Sequence, residues 1–133
     1  MERSLRAQVS DLELSKNIEI LGEVPENEDV LKAYEKAHIF CLPSLQEGFG
    51  IVFLEAMCAG LPIIAMNVSA VPEVLGDSGL LVEKNDMQGL SDSIVRLLRD
   101  DELHETLRCK GRKHVKNYDW STVAKRFLES LAL

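Results

Sequence analysis

Short apolar runs alternate with stretches of helical periodicity along the whole chain. The runs at 18–21, 38–42, 62–65 and 79–83 lack the sustained polar alternation of a half-exposed sheet, so they predict strands covered on both faces. Between them the spacing predicts helices over 2–14, 28–37, 50–59 and 71–75, with Gly60 at a C-cap position. Three further helices follow. Leu90, Ile94, Leu97 and Leu98 repeat at helical spacing over 87–99 behind an Asp86 N-cap, and a second helix covers 101–116. The last starts near Asp119 or Ser121 and repeats apolar residues at Val123, Ala124, Phe127, Leu128 and Leu131. The pattern is that of an α/β domain with a parallel sheet of about four strands and flanking helices, without internal repeat or low-complexity linker.

Composition narrows the class. At 133 residues the chain suits one domain with one core, and 46% hydrophobic with 28% charged residues is ordinary globular usage. No apolar run approaches the ~20 residues that span a bilayer, and residues 1–10 lack the apolar core of a signal peptide. A cytoplasmic location is expected, with peripheral attachment to a membrane as its variant. The net charge of −7 opposes nonspecific attraction to nucleic acid or anionic lipid. A local exception is the basic stretch Arg108–Lys116, read as a solvated helix face, with phosphate or membrane contact as the alternative. Cys41, Cys58 and Cys109 are too few and too scattered for a zinc site or a disulfide framework, and Cys41 and Cys58 read as small core residues. His38, His104 and His114 show no ligand spacing, so no metal is expected.

The candidate chemistry lies at Glu47-Gly48-Phe49-Gly50-Ile51 and at Glu55. A helix opening near Gly50 leaves its first backbone N–H groups unpaired and gathers partial positive charge, which suits a phosphate or a sugar hydroxyl. Gly48 and Gly50 let a ligand approach the backbone. Glu55, about one turn into the helix, offers two oxygens to adjacent hydroxyls such as those of a ribose, and Glu47 would face the same mouth. Phe49 reads as a core plug, with a wall beside the ligand as the alternative.

The tract from Glu47 through Glu55 to Ala65 closely resembles the Glu-x7-Glu signature of family-4-type retaining glycosyltransferases, which have the two-domain GT-B fold. The resemblance continues through Asn67–Leu75, Gly79–Val82 and Asn85-Asp86, and upstream through Ile18–Gly22 and Leu31–Ala37. It implies a Rossmann-like, donor-binding C-terminal domain that lacks its first two strands and the whole N-terminal domain. By resemblance those two strands lie in mid-sheet, between 18–21 and 38–42. The gap is expected to close by direct pairing of the remaining strands or by a second copy of this chain. The Arg and Lys that neutralise the donor diphosphate in the family have no match here, since Arg3, Arg6 and Lys16 lie in or beside a helix. Ser69 and Ala70 stand where many members carry two glycines.

The activity implied is transfer of a hexose-type sugar, with retention, from a nucleoside diphosphate sugar to an acceptor hydroxyl. Glu47 is the candidate catalytic residue, chemical or positional. Gly48, Phe49, Gly50 and Ile51 would hold donor sugar and diphosphate, Glu55 the ribose, and Glu73 after Pro72 is a further candidate. The donor is the nucleotide sugar itself, without a cofactor, and the partner is an acceptor-binding N-terminal domain or subunit. The chain alone is expected to be inactive. The competing class is a non-catalytic module that binds a nucleotide sugar or depends on a partner. A dinucleotide-binding module is disfavoured, because Gly48-Phe49-Gly50 is not followed by a third glycine at fingerprint spacing.

Overall fold

The computed structural model describes residues 2–46, 48–119 and 121–122. These divide into two compact units, residues 1–33 and 34–133.

In the first unit, α1 (Glu2–Asp11) ends with Glu13 in the left-handed region at φ 56°, where the N–H groups of Leu14 and Glu13 donate to the carbonyls of Val9 and Ser10. Those two bonds form a Schellman motif and explain why this helix stops short of residue 14. The expected strand at 18–21 is absent. Among the described residues of this unit there is no strand to offer it a ladder, Ile18 and Leu21 stay 44% and 58% exposed, and the Ile20 carbonyl accepts from the Arg6 guanidinium at 2.9 Å. A strand exists only through its partner. The helix α2 (Asn27–Lys36) follows, and its final turn from Tyr34 belongs to the second unit.

The second unit is built on a parallel sheet of three strands, β1 (Phe40–Leu42), β2 (Ile63–Met66) and β3 (Gly79–Val82), in the order β1-β2-β3. Phe40 registers with Ile63, and Ile63 with Gly79. The described sheet thus has three strands where about four were expected, the missing one being 18–21. Every residue of β2 is buried, as its unbroken apolar run requires. Ile63 and Ala65 enter one core with Phe53, Ala56 and Met57 of α3 (Ile51–Ala59) and Val71, Val74 and Leu75 of α4 (Val71–Leu75). Ile64 and Met66 point the other way, onto Val82, Leu97 of α5 (Met87–Arg99) and Leu107 of α6 (Asp101–His114). Each buried side chain of this kind stabilises by roughly 1.5–3 kcal/mol.

Two glycines lie where α3 and α6 meet. A Cβ on Gly111 would stand 3.4 Å from Met57 Cγ, and one on Gly60 would stand 2.5 Å from Arg112 Nε. Gly60 also caps α3 at φ 75°, as its position after the apolar helix foretells. After α6 a 3-10 turn covers Val115–Tyr118, which is where the expected 101–116 helix tightens. Asp119 accepts from the Ser121 and Thr122 N–H groups at the expected start of the last helix, and the apolar repeat beyond it lies outside the described residues.

Two core assignments are corrected. Cys41 and Cys58 are exposed. Cys41 sits in an edge strand, on the opposite face from Phe40 and Leu42, which pack into the core, and Cys58 lies on the outer side of α3, whose inner side is filled by Phe53, Ala56 and Met57.

Candidate functional site

The site is assembled where α3 begins. Gly50 adopts φ 72° and ψ 51° and is buried, turning the chain sharply into the helix, with its carbonyl accepting from Phe53 N–H at 2.9 Å. A side chain would be strained in that backbone conformation, and without one Gly50 offers the first turn no side-chain cap. The helix therefore presents its opening N–H groups and the positive end of its dipole at the surface, where Ile51 is 64% exposed. Around Gly48 a Cβ would meet nothing within 4 Å, so the space over that backbone is open.

Glu55 follows Ile51 by four residues and shares its helix face, about 6 Å further along the axis. It is exposed, and its Oε2 accepts a hydrogen bond from the Tyr34 hydroxyl at 3.1 Å. Tyr34 is itself held by stacking on Phe40, with ring centroids 5.8 Å apart and planes 19° from parallel. Burial, then the bond to Glu55, pushes the Tyr34 phenol up to about 12. It stays a proton donor throughout the physiological range.

Phe49 is not a core plug. Its side chain is 54% exposed and meets the edge of Tyr118, centroid to centroid 5.8 Å, because the glycines on either side carry it along the surface while Phe53 fills the core position. Tyr118 also donates to the Glu73 carbonyl at 3.4 Å and edges His114, whose Nε2–H donates to the Val74 carbonyl at 2.9 Å. One tyrosine thus ties Phe49, ahead of α3, to the backbone of Glu73 in the first turn of α4. The Glu73 carboxylate is exposed behind Pro72, at the helix end that favours negative charge. Before it, Ser69 adopts φ 49°, the left-handed conformation in which glycine is at ease. Glu47 lies outside the described residues.

The basic stretch Arg108–Lys116 is largely committed to contacts of its own. Arg108 donates to both oxygens of Glu105 at 2.8 and 2.7 Å, and this hydrogen bonding holds the Glu105 carboxyl down at about 2. Lys110 pairs with Asp77 at 2.9 Å and Arg112 packs over Gly60. Among the described residues no three His, Cys, Asp or Glu side chains gather as metal ligands, and no helix is long and apolar enough to cross a membrane.

Sequence reasoning placed Gly48, Gly50, Ile51 and Glu55 together on the opening of one helix. It missed Tyr34 and Tyr118. The four-residue spacing of Val30 and Tyr34 in α2 is the one signal that marks Tyr34 as facing inward.

Known proteins resemble this chain in sequence and in fold. The family described as Glycosyl transferases group 1 matches residues 1–114. A phosphatidyl-myo-inositol mannosyltransferase of Mycobacterium leprae is 38% identical over 130 residues, covering 96% of this chain and 34% of its own length. Sucrose-phosphate synthase from Thermosynechococcus elongatus superposes with a TM-score of 0.82 at 28% identity, over 98% of this chain and 33% of its own. Alr3699/HepE of Anabaena, solved in complex with UDP and glucose, superposes with a TM-score of 0.83 at 23% identity, covering 98% of this chain and 36% of its own, which speaks for the fold alone. The chain spans about a third of the length of these relatives. Sequence match and fold agree: the chain belongs to the Glycosyl transferases group 1 family and is the C-terminal type of GT-B domain.

Proposed function

We propose that this chain is the donor-binding part of a retaining glycosyltransferase, taking a hexose from a nucleoside diphosphate sugar to an acceptor hydroxyl. The observation that carries the reading is the left-handed Gly50 opening α3, with Glu55 on the same helix face as Ile51. The N–H groups around Gly50 and Ile51 hold phosphate or sugar oxygens and stabilise the charge that grows on the leaving diphosphate as the glycosidic bond breaks. Glu55 accepts from the ribose hydroxyls. Gly48 gives the donor room, Phe49 stands beside the sugar, and Glu73 lies at the rim. By family resemblance Glu47 is the residue that faces the transferred sugar. Bound UDP in a fold neighbour supports a nucleotide donor.

Positioning of two substrates accounts for roughly 7–11 kcal/mol of barrier in favourable systems. The acceptor is supplied by a second, N-terminal type of domain, so these 133 residues alone bind the donor without transferring it. Calorimetric titration with GDP-mannose, UDP-glucose and the free diphosphates tests the reading. One nucleotide series should bind, and Glu55→Ala should weaken it at least ten-fold, as loss of a charged hydrogen-bond acceptor implies. Binding that is untouched by Glu55→Ala would contradict the assignment.

A further inference from the structure

We infer that Tyr34 is a positioning residue for Glu55, fixing the carboxylate so that it meets a pair of vicinal hydroxyls with one oxygen already oriented and the other free. The inference rests on the donor-site reading above and adds a residue that the signature tract does not contain.

The geometry has three parts. First, the Tyr34 hydroxyl donates to Glu55 Oε2 at 3.1 Å, and among the described residues Oε1 has no partner. A carboxylate has about four lone-pair sites, so this one bond still leaves room for two hydroxyl donors. Second, the phenol is held by a ladder of rings. Tyr34 stacks on Phe40 of β1, and Phe40 meets the edge of Phe53 at 6.1 Å with planes 88° apart. Phe53 is fully buried and lies in α3, two residues before Glu55. The tyrosine and the glutamate are therefore referenced to the same helix. Third, the raised phenol keeps its proton, so the direction of the bond does not change with pH in the working range.

Glu55 is otherwise an exposed side chain with three rotatable bonds, which would be ordered only on binding. Holding it beforehand removes that cost, and the gain is confined to ligands that use the carboxylate. Tyr34→Phe keeps the ring ladder and deletes the donor. In titrations of the intact chain with UDP and GDP, it should weaken the better ligand roughly three- to ten-fold, the range expected for immobilising one rotamer-rich side chain. The 2′,3′-dideoxy diphosphates, which lack both hydroxyls, should lose less than about two-fold by the same reasoning. The double variant with Glu55→Ala should bind no worse than Glu55→Ala alone. Equal losses for ribose and dideoxyribose ligands would show a structural role and overturn the inference, as would a Tyr34→Phe chain that binds like the parent.

A second readout is independent of nucleotide. The carboxyl 13C resonance of Glu55 should move in Tyr34→Phe, and an unmoved resonance overturns the inference by itself. If the resonance moves while the parent chain makes no distinction between ribose and dideoxyribose, it is the ribose assignment of Glu55 that fails, and the positioning role falls with it.

Discussion

Ser69 holds φ at 49° on an exposed loop, where an L side chain costs about 1–2 kcal/mol in the left-handed region. Strain relief in Ser69→Gly is offset by the freedom glycine gains when unfolded, so that variant should stay within about 1 kcal/mol of the parent. Ser69→Val puts a β-branched residue in the same conformation and should destabilise by about 1–3 kcal/mol. Urea midpoints compare the two, and a valine variant as stable as the glycine one would show that the loop can relax. The same scale shows what single residues disclose before folding. Gly50 and Gly60 were legible because glycine at a helix end has few other uses, and both take positive φ. The Tyr34–Glu55 bond was not legible, because its partners stand 21 residues apart on two helices and nothing local signals that they meet. Phe49 misled for a related reason. An aromatic set between two glycines ahead of an apolar helix reads as core, yet the core position belongs to Phe53.

Asp100 joins two elements. It ends α5, and its Oδ1 accepts from the Leu103 N–H at 2.9 Å to cap α6. Asp100→Ala should cost about 1 kcal/mol in urea unfolding and Asp100→Asn much less, since asparagine caps nearly as well. Equal losses would assign the effect to charge and not to the cap. Elements that carry their own start and stop signals were readable from sequence: the spans 71–75 and 87–99 were expected and are formed within those bounds. Residues 18–21 have the composition of a strand but, among the described residues of their own unit, no strand to pair with, so sequence pattern alone could not decide them. Cys41 shows the converse. Its run is that of a strand covered on both faces, but β1 lies at the edge of the described sheet and leaves the thiol exposed.

At the scale of the second unit, the two sides of β2 explain the layering: α3 and α4 cover Ile63 and Ala65, while α5 and α6 cover Ile64 and Met66. That packing fixes α3 by its inner face and leaves its opening turn and Glu55 at the surface. The family and the fold were legible in one tract because the glycines that shape the helix start and the acid that follows it are neighbours in sequence. The donor and the acceptor were not, since those depend on atoms this tract does not carry. The opening of α3 is the proposed nucleoside diphosphate site. Amide chemical-shift mapping of the 15N-labelled chain with UDP and with GDP tests it most directly. Saturable shifts are expected, centred on Gly48–Val52 and extending to Glu55 and Tyr34. Shifts centred instead on the basic face, at Lys110–Lys116, or none from a folded chain at millimolar nucleotide, would contradict it.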